Sequence, residues 1–177
     1  NLVGVVPPLA SAKTTMNLTV QNNLCYTYKY DERNRLVEKK LPGKGVEYMV
    51  YDKQDRLVAT QDANLRGVGH WLFTKYDKYG RVIYTGIYSG GTNRASVQTA
   101  ANNAVNNNNE TRNTSGFTQD GMTVRYSKTA FPTTIAELLS VNYYDYYETT
   151  LSFTPSAFTQ QTVRSGTQTA DANNSLK

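Results

Sequence analysis

One cysteine and one histidine in 177 residues remove several functions at once. Cys25 has no partner for an internal disulfide. With His70 as the sole imidazole, no metal set of the zinc type can be assembled, and no cofactor is expected. A Cys25–His70 nucleophile pair would need the two side chains to meet beside an oxyanion hole, and nothing around either residue marks one. Cys25 sits in a strand-like run and reads as a small core residue. His70 opens an aromatic strand with Trp71 and Phe73. No apolar run approaches 18 residues, so no helical membrane span is expected. The chain starts Asn-Leu-Val, without a basic stretch followed by an apolar one, and both ends are expected to be cuts inside a longer protein. Gly43-Lys44-Gly45 is too short to be a phosphate-binding loop. The net charge is +5, yet 12 basic and 8 acidic residues alternate closely between Lys29 and Arg81. That is a solvated mixed face and not a phosphate track, so no nucleic-acid partner is expected.

What the chain has is tyrosine, 14 in all, and one phrase written three times. A Tyr-Asp pair is followed by three residues, an Arg and two apolar residues. The copies are Tyr30-Asp31-Glu32-Arg33-Asn34-Arg35-Leu36-Val37, Tyr51-Asp52-Lys53-Gln54-Asp55-Arg56-Leu57-Val58 and Tyr76-Asp77-Lys78-Tyr79-Gly80-Arg81-Val82-Ile83. Repetition at such a period marks one supersecondary unit used several times. Tyr and the apolar pair are strand formers on either side of a turn. Asp accepts from backbone amides two residues on and so opens the turn. The residue before Arg is Asn34, Asp55 and Gly80, the three types that best tolerate positive φ. A type I turn closed by one left-handed residue, a G1 bulge, requires such a residue there. Every recurrent Asp therefore has a structural task. Paired carboxylates for glycoside hydrolysis are not legible from spacing, and no catalytic residue is assigned.

The phrase resembles the Rhs/YD-repeat family, also seen in teneurins and in the shell proteins of insecticidal toxin complexes. The stretches "EKKLPGKGVEYMVYDKQDRLVATQDANLR" and "WLFTKYDKYGRVIYTG" are similar to versions found in large surface or secreted proteins of Bacteroidetes. The resemblance is specific from about Cys25 to Gly86 and weaker at Thr129–Pro132 and Val141–Asp145. The family usually has Gly where Asn34 and Asp55 stand. Either substitute costs on the order of 1 kcal/mol in a left-handed turn.

The expected fold is mainly β: an antiparallel β-meander of stacked YD-repeat hairpins with one inserted α-helix. Its parts are an N-terminal extension (1–23), three repeats (24–90), an inserted helix and polar loop (91–121), further strands (122–159) and a tail or linker (160–177). Pro7-Pro8 breaks the first apolar run, and Thr14–Val20 reads as an edge strand. The repeat strands are expected at Leu24–Tyr30, Arg35–Leu41, Val46–Tyr51, Arg56–Gln61, His70–Tyr76 and Arg81–Tyr88. Alternation sets Tyr26, Tyr28 and Tyr30 on one face opposite Val37, Tyr48, Val50 and Leu57, which predicts aromatic ladders across strands. Val97, Ala100, Ala101, Ala104 and Val105 recur at helical spacing, with Thr92 or Asn93 as cap. The run Asn106–Asn109 ends that helix, and Glu110–Gly121 reads as a loop. Met122–Ser127, Leu138–Tyr147 and Leu151–Phe153 read as strands, with Tyr144-Asp145 as a decayed fourth turn.

The resemblance implies a non-catalytic structural segment of a β-shell, in a secreted or cell-surface protein that encloses or presents a C-terminal toxin. Adjoining repeats of the parent chain would be its partners, with toxin cargo or a surface glycan beyond them. A second reading is a carbohydrate-binding module, with Trp71, Tyr79 and Tyr88 as candidate stacking residues. Leu24–Tyr30 and Leu138–Tyr147 are β-prone and short of charge. As exposed edges they would promote self-association.

Overall fold

Hydrogen bonding along the repeat strands builds an eight-stranded antiparallel sheet. The structure is a computed structural model and describes residues 1–13, 15–91 and 93–144. The elements, in chain order, are β1 (Gly4–Val5), α1 (Pro8–Ser11), α2 (Leu18–Leu24), β2 (Tyr26–Tyr30), β3 (Leu36–Lys40), β4 (Glu47–Tyr51), β5 (Leu57–Gln61), α3 (Ala63–Gly67), β6 (His70–Tyr76), β7 (Val82–Ser89), α4 (Arg94–Asn102), β8 (Arg112–Gln119), β9 (Met122–Tyr126) and β10 (Glu137–Val141). Strands β1 to β7 lie side by side in sequence order and β10 adds beside β7, while β8 and β9 form a separate hairpin. All these elements belong to one compact unit, Asn1–Val141.

The expected antiparallel order is present from β2 to β7. Three local expectations are overturned. Thr14–Val20 is not an edge strand: the Asn17 side chain accepts from Val20 N at 2.9 Å and caps α2. One satisfied orphan amide outweighs the strand preference of Thr19 and Val20. The edge strand is β1, which pairs with β2 at Tyr26 and Thr27, while Leu24, expected in that strand, is the last residue of α2. Glu110–Gly121 is not a loop, because most of it is β8. Its polar middle, Asn113–Gly116, bulges out of register with β9, and Asp120-Gly121, both at positive φ, close a two-residue hairpin. Among the described residues there are also four α-helices rather than one. The loop after β5 holds α3, capped by Asp62 on Leu65 N at 2.8 Å. The expected strand Leu151–Phe153, the Tyr144-Asp145 turn and the 160–177 tail lie outside the described residues, wholly or at Asp145.

One face of the sheet carries the core. Along β6 and β7 the pairs Trp71–Tyr88, Phe73–Gly86 and Lys75–Tyr84 stand directly opposite each other. Gly86 is required at its place: a Cβ there would lie 2.3 Å from the Glu137 carbonyl and 2.7 Å from the Phe73 ring. Helix α4 covers the Trp71 end of this face, where Val97 and Ala101 join Val50, Val58, Ala59 and Phe131. Asn93 caps it in a reciprocal box with Ser96. The side chain of Gln98 also stands in for a strand: its amide donates to Tyr51 O at 2.6 Å and accepts from Tyr51 N at 3.2 Å. This occurs where β3 and β4, paired at only two positions, have drawn apart. The β8–β9 hairpin serves the other end, where Tyr84 meets Phe73, Phe117 and Tyr126 at ring centroid separations of 5.8–6.2 Å.

Tyr26, Tyr28 and Tyr30 are half-buried and form no aromatic ladder among the described residues. Tyr48 stacks on Trp71, and the repeat tyrosines take a different kind of partner.

Candidate functional site

The three turns have the same atomic plan. In the first, Asn34 N donates to Asp31 O at 2.9 Å and Asp31 N to Arg35 O at 3.0 Å. The same two bonds close the second turn (Asp55 to Asp52, Asp52 to Arg56) and the third (Gly80 to Asp77, Asp77 to Arg81) at 3.0–3.2 Å. Asn34, Asp55 and Gly80 stand at φ 60°, 62° and 78°, and the ladder register slips at Tyr30, Tyr51 and Tyr76. This is the type I turn with a left-handed bulge residue that the spacing predicts. Asn34→Gly is therefore expected to be neutral or slightly stabilising. Gly80→Val, which forces a β-branched residue into the left-handed region, is expected to cost about 1 kcal/mol or more. Urea denaturation of both variants checks the pair.

The invariant four-residue step from Asp to Arg has its own cause. One oxygen of Asp31 accepts from Arg33 N (3.0 Å) and Arg35 N (2.9 Å). The other accepts Arg35 Nε at 2.8 Å, with Nη2 at 2.7 Å. Asp52 repeats this with Gln54, Arg56 N and the Arg56 fork. Asp77 does so with Tyr79, Arg81 N and Arg81 Nε. The planar guanidinium edge of Arg35 and of Arg56 brings two fixed donors, Nε and Nη2, to one oxygen of its Asp, an arrangement the single ammonium of Lys cannot reproduce. Burial alone would raise the Asp31 and Asp77 carboxyls, but the Arg35 and Arg81 bonds and the backbone amides hold both below the ordinary 3.8.

Arg35 and Arg56 also reach the next turn, whereas Arg81 lies 5.1 Å over Tyr79 of its own turn. The Arg35 guanidinium lies 4.9 Å over the Tyr51 ring and Arg56 lies 4.8 Å over Tyr76. Arg35 Nη1 donates to Asp52 O (3.1 Å) and Asp55 Oδ1 (2.8 Å). Arg56 Nη1 donates to Asp77 O (3.3 Å) and Asn109 Oδ1 (2.8 Å), while its Nη2 donates to the Asn107 and Asn108 carbonyls. The tyrosines answer in the opposite direction: Tyr51 Oη donates to Leu36 O and Tyr76 Oη to Leu57 O, each at 2.8 Å. The turns thus stack into a column of alternating guanidinium and phenol. Asn106 to Asn108 are three consecutive left-handed residues, and the last two present their carbonyls to Arg56.

Sequence reasoning missed a second constellation. Lys75 and Glu110 form an ion pair at 2.6 Å with neither side chain exposed. Lys75 Nζ also donates to Ala130 O at 2.7 Å. Glu110 accepts from Tyr84 Oη (3.0 Å), Ala130 N (3.0 Å), Thr129 N (3.0 Å) and Ser127 Oγ. Burial pushes the Lys75 ammonium down to about 8, with Glu110 opposing. Burial would raise Glu110, but the Lys75 charge and the hydrogen bonds outweigh it and hold the carboxyl below its ordinary value. Burial and the adjacent carboxylate raise Tyr84. At neutral pH the pair is charged on both sides.

A pH dependence follows with a definite sign. Between about 8 and the ordinary 10.5, the unfolded chain keeps a Lys75 proton that the folded chain has lost. Stability conferred by this site therefore rises with pH through that window. The rise is expected in the natural sequence and absent from Lys75→Met/Glu110→Gln, as read by denaturation midpoints from neutrality to about pH 10.

The remaining candidates are scattered. Trp71 is fully buried in the core, so its ring offers no stacking platform. Tyr88 is half-buried edge-on to Phe131. Tyr79 is 70 % exposed, with Lys78 and Arg81 over its ring. A groove of about 470 Å³ between the Leu41–Gly45 loop and α3 is lined by Lys39, Lys44, Glu47, Asp62 and Asn64, without an aromatic ring. Cys25 is buried just before β2 and His70 opens β6, with three strands between them. That is roughly 19 Å at ~4.8 Å per strand, too far for the two to act together. Among the described residues no three His, Cys, Asp or Glu side chains cluster as a metal would need, and no helix is long and apolar enough to cross a membrane. No protein-family model matches the chain, and no curated protein matches it either.

Proposed function

We propose that this chain is a non-catalytic segment of an Rhs/YD-repeat β-shell, one stretch of wall in a large secreted or cell-surface protein that encloses or presents a C-terminal toxin. The observation that supports this reading is the stacking of the turns: Arg35 and Arg56 each close their own turn and also cover the Tyr of the next. A unit whose contacts are made to its neighbours gains stability by addition of further units. The partners on this reading are the adjoining repeats and the enclosed cargo. Electron microscopy of the polypeptide together with its adjoining repeats is expected to show a hollow spiral in which the turns form one continuous column. Separate globules on linkers would exclude the shell.

The second reading, carbohydrate binding at the cell surface, is favoured by Tyr79 alone, an exposed ring beside two cations. A glycan array probed with the chain and with Tyr79→Ala separates the two. On either reading the short strand β1 ends the sheet among the described residues and can pair further. Self-association that disappears when further repeats are added would place the cause at the strand edges, with light scattering as the measurement.

A further inference from the structure

Residues 1–3 lie against the first turn as the exit strands of the first and second turns lie against the second and third. Tyr51 Oη donates to Leu36 O, and Tyr76 Oη to Leu57 O. In both cases the acceptor is the residue just after the Arg of the preceding turn. Tyr30 Oη makes the same bond, at 3.0 Å, to Leu2 O. Arg35 Nη1 donates to the side chain of Asp55, the left-handed residue of the next turn. Asn1 Nδ2 donates to the side chain of Asn34, the equivalent residue, at 2.9 Å. Val3 O then accepts from Tyr28 N, and β1 continues antiparallel to β2. Asn1-Leu2-Val3 thus stands in the register of Arg35-Leu36-Val37 and Arg56-Leu57-Val58. One contact differs. Arg35 and Arg56 cover Tyr51 and Tyr76, whereas no cation among the described residues lies over the Tyr30 ring, and an Asn at position 1 is too short to reach it.

We propose that the face formed by Tyr30, Asn34 and Asn1–Val3 is the seat of a further Tyr-Asp turn, whose exit strand is Asn1-Leu2-Val3. Its occupant is defined by chemistry. A turn seated here would carry its Tyr five residues ahead of position 1, and its Asp carboxylate would accept the Asn1 backbone N–H as Asp31 accepts that of Arg35 at 2.9 Å. The residue joining that turn to Asn1 would be left-handed, as Asn34, Asp55 and Gly80 are. The inference rests on reading the chain as stacked turns, but it does not require that the stack close into a shell.

The test adds Tyr-Asp-Lys-Tyr-Gly, the sequence of residues 76–80, ahead of Asn1 in the full chain. Amide exchange at Val5, Tyr26 and Tyr28 is expected to slow roughly tenfold, the effect of about one charge-assisted hydrogen bond. The same extension with Ala in place of Asp, or a Gly-Ser extension of equal length, is expected to leave exchange unchanged. A second variant needs no extension: Asn1→Arg is expected to raise the denaturation midpoint by covering Tyr30, and Asn1→Met is not. Equal protection from the Asp and Ala extensions, or no protection from either, overturns the seat and leaves the wall reading untouched. An Asp-dependent gain alongside electron micrographs of separate globules would keep the seat and remove the wall.

Discussion

Glu110→Ala is expected to destabilise the protein by about 3–5 kcal/mol, the largest loss from any single side chain outside the aromatic core. The Lys75 ammonium, fully buried, would keep only the Ala130 carbonyl as a strong partner. Tyr84 Oη would keep the Ser127 carbonyl, whereas the amides of Thr129 and Ala130 would lose their acceptor. An orphaned buried donor costs about 1–3 kcal/mol and an orphaned buried charge more. Since the same carboxylate ties β6, β7 and the 127–130 segment together, the hairpin β8–β9 is expected to loosen with it. Lys75→Met/Glu110→Gln should recover much of the loss, because removing both charges leaves no unpaired ion. A double-mutant cycle in urea measures the coupling. A single Glu110→Ala variant within about 0.5 kcal/mol of the natural sequence would mean that water reaches Lys75 and that the pair is not the anchor its geometry implies.

The sequence showed the turns almost atom for atom and the buried pair not at all, and the two outcomes have different causes. A turn is local. Tyr-Asp, the left-handed residue and Arg lie within six positions, so their spacing carries the geometry. Lys75 and Glu110 are 35 residues apart, and no local pattern joins them. Half of the signal was nevertheless present: strict alternation through Trp71, Phe73 and Lys75 sets a lysine on the aromatic face, and a buried lysine requires a carboxylate. Asp120-Gly121 was a standard hairpin signal obscured by polar flanks. Its strand β8 is polar because only Phe117 of that strand turns onto Tyr84. Thr14–Val20 differs for the opposite reason: an edge strand is compatible with the prolines ahead of it, and the single capping Asn17 decides for a helix. Trp71 illustrates the limit for sites. An aromatic residue in a strand is equally consistent with a sugar platform and a core, and only the arrival of α4 and Phe131 over that face settles its burial.

Within the turn column, burial and not motif identity is expected to set the cost of each Asp. Asp52→Ala should lose about 3 kcal/mol, because its side chain is wholly buried and serves two backbone amides and the Arg56 fork. Asp31→Ala removes the same bonds, but Asp31 is 20 % exposed, and water takes over part of its role. A loss of about 1–1.5 kcal/mol is expected there. Asp52→Asn should fall between the two variants, since an amide oxygen still accepts from Gln54 and Arg56 N but no longer balances the guanidinium. The effect should also travel. Arg56 holds the Asn107 and Asn108 carbonyls and the Asn109 side chain, so freeing it from Asp52 should speed amide exchange from Asn108 to Glu110. Exchange near Asn34, one turn away on the other side, should barely change. Equal costs at Asp31 and Asp52, with no change at 108–110, would show the turns to be independent hairpins and not a coupled column.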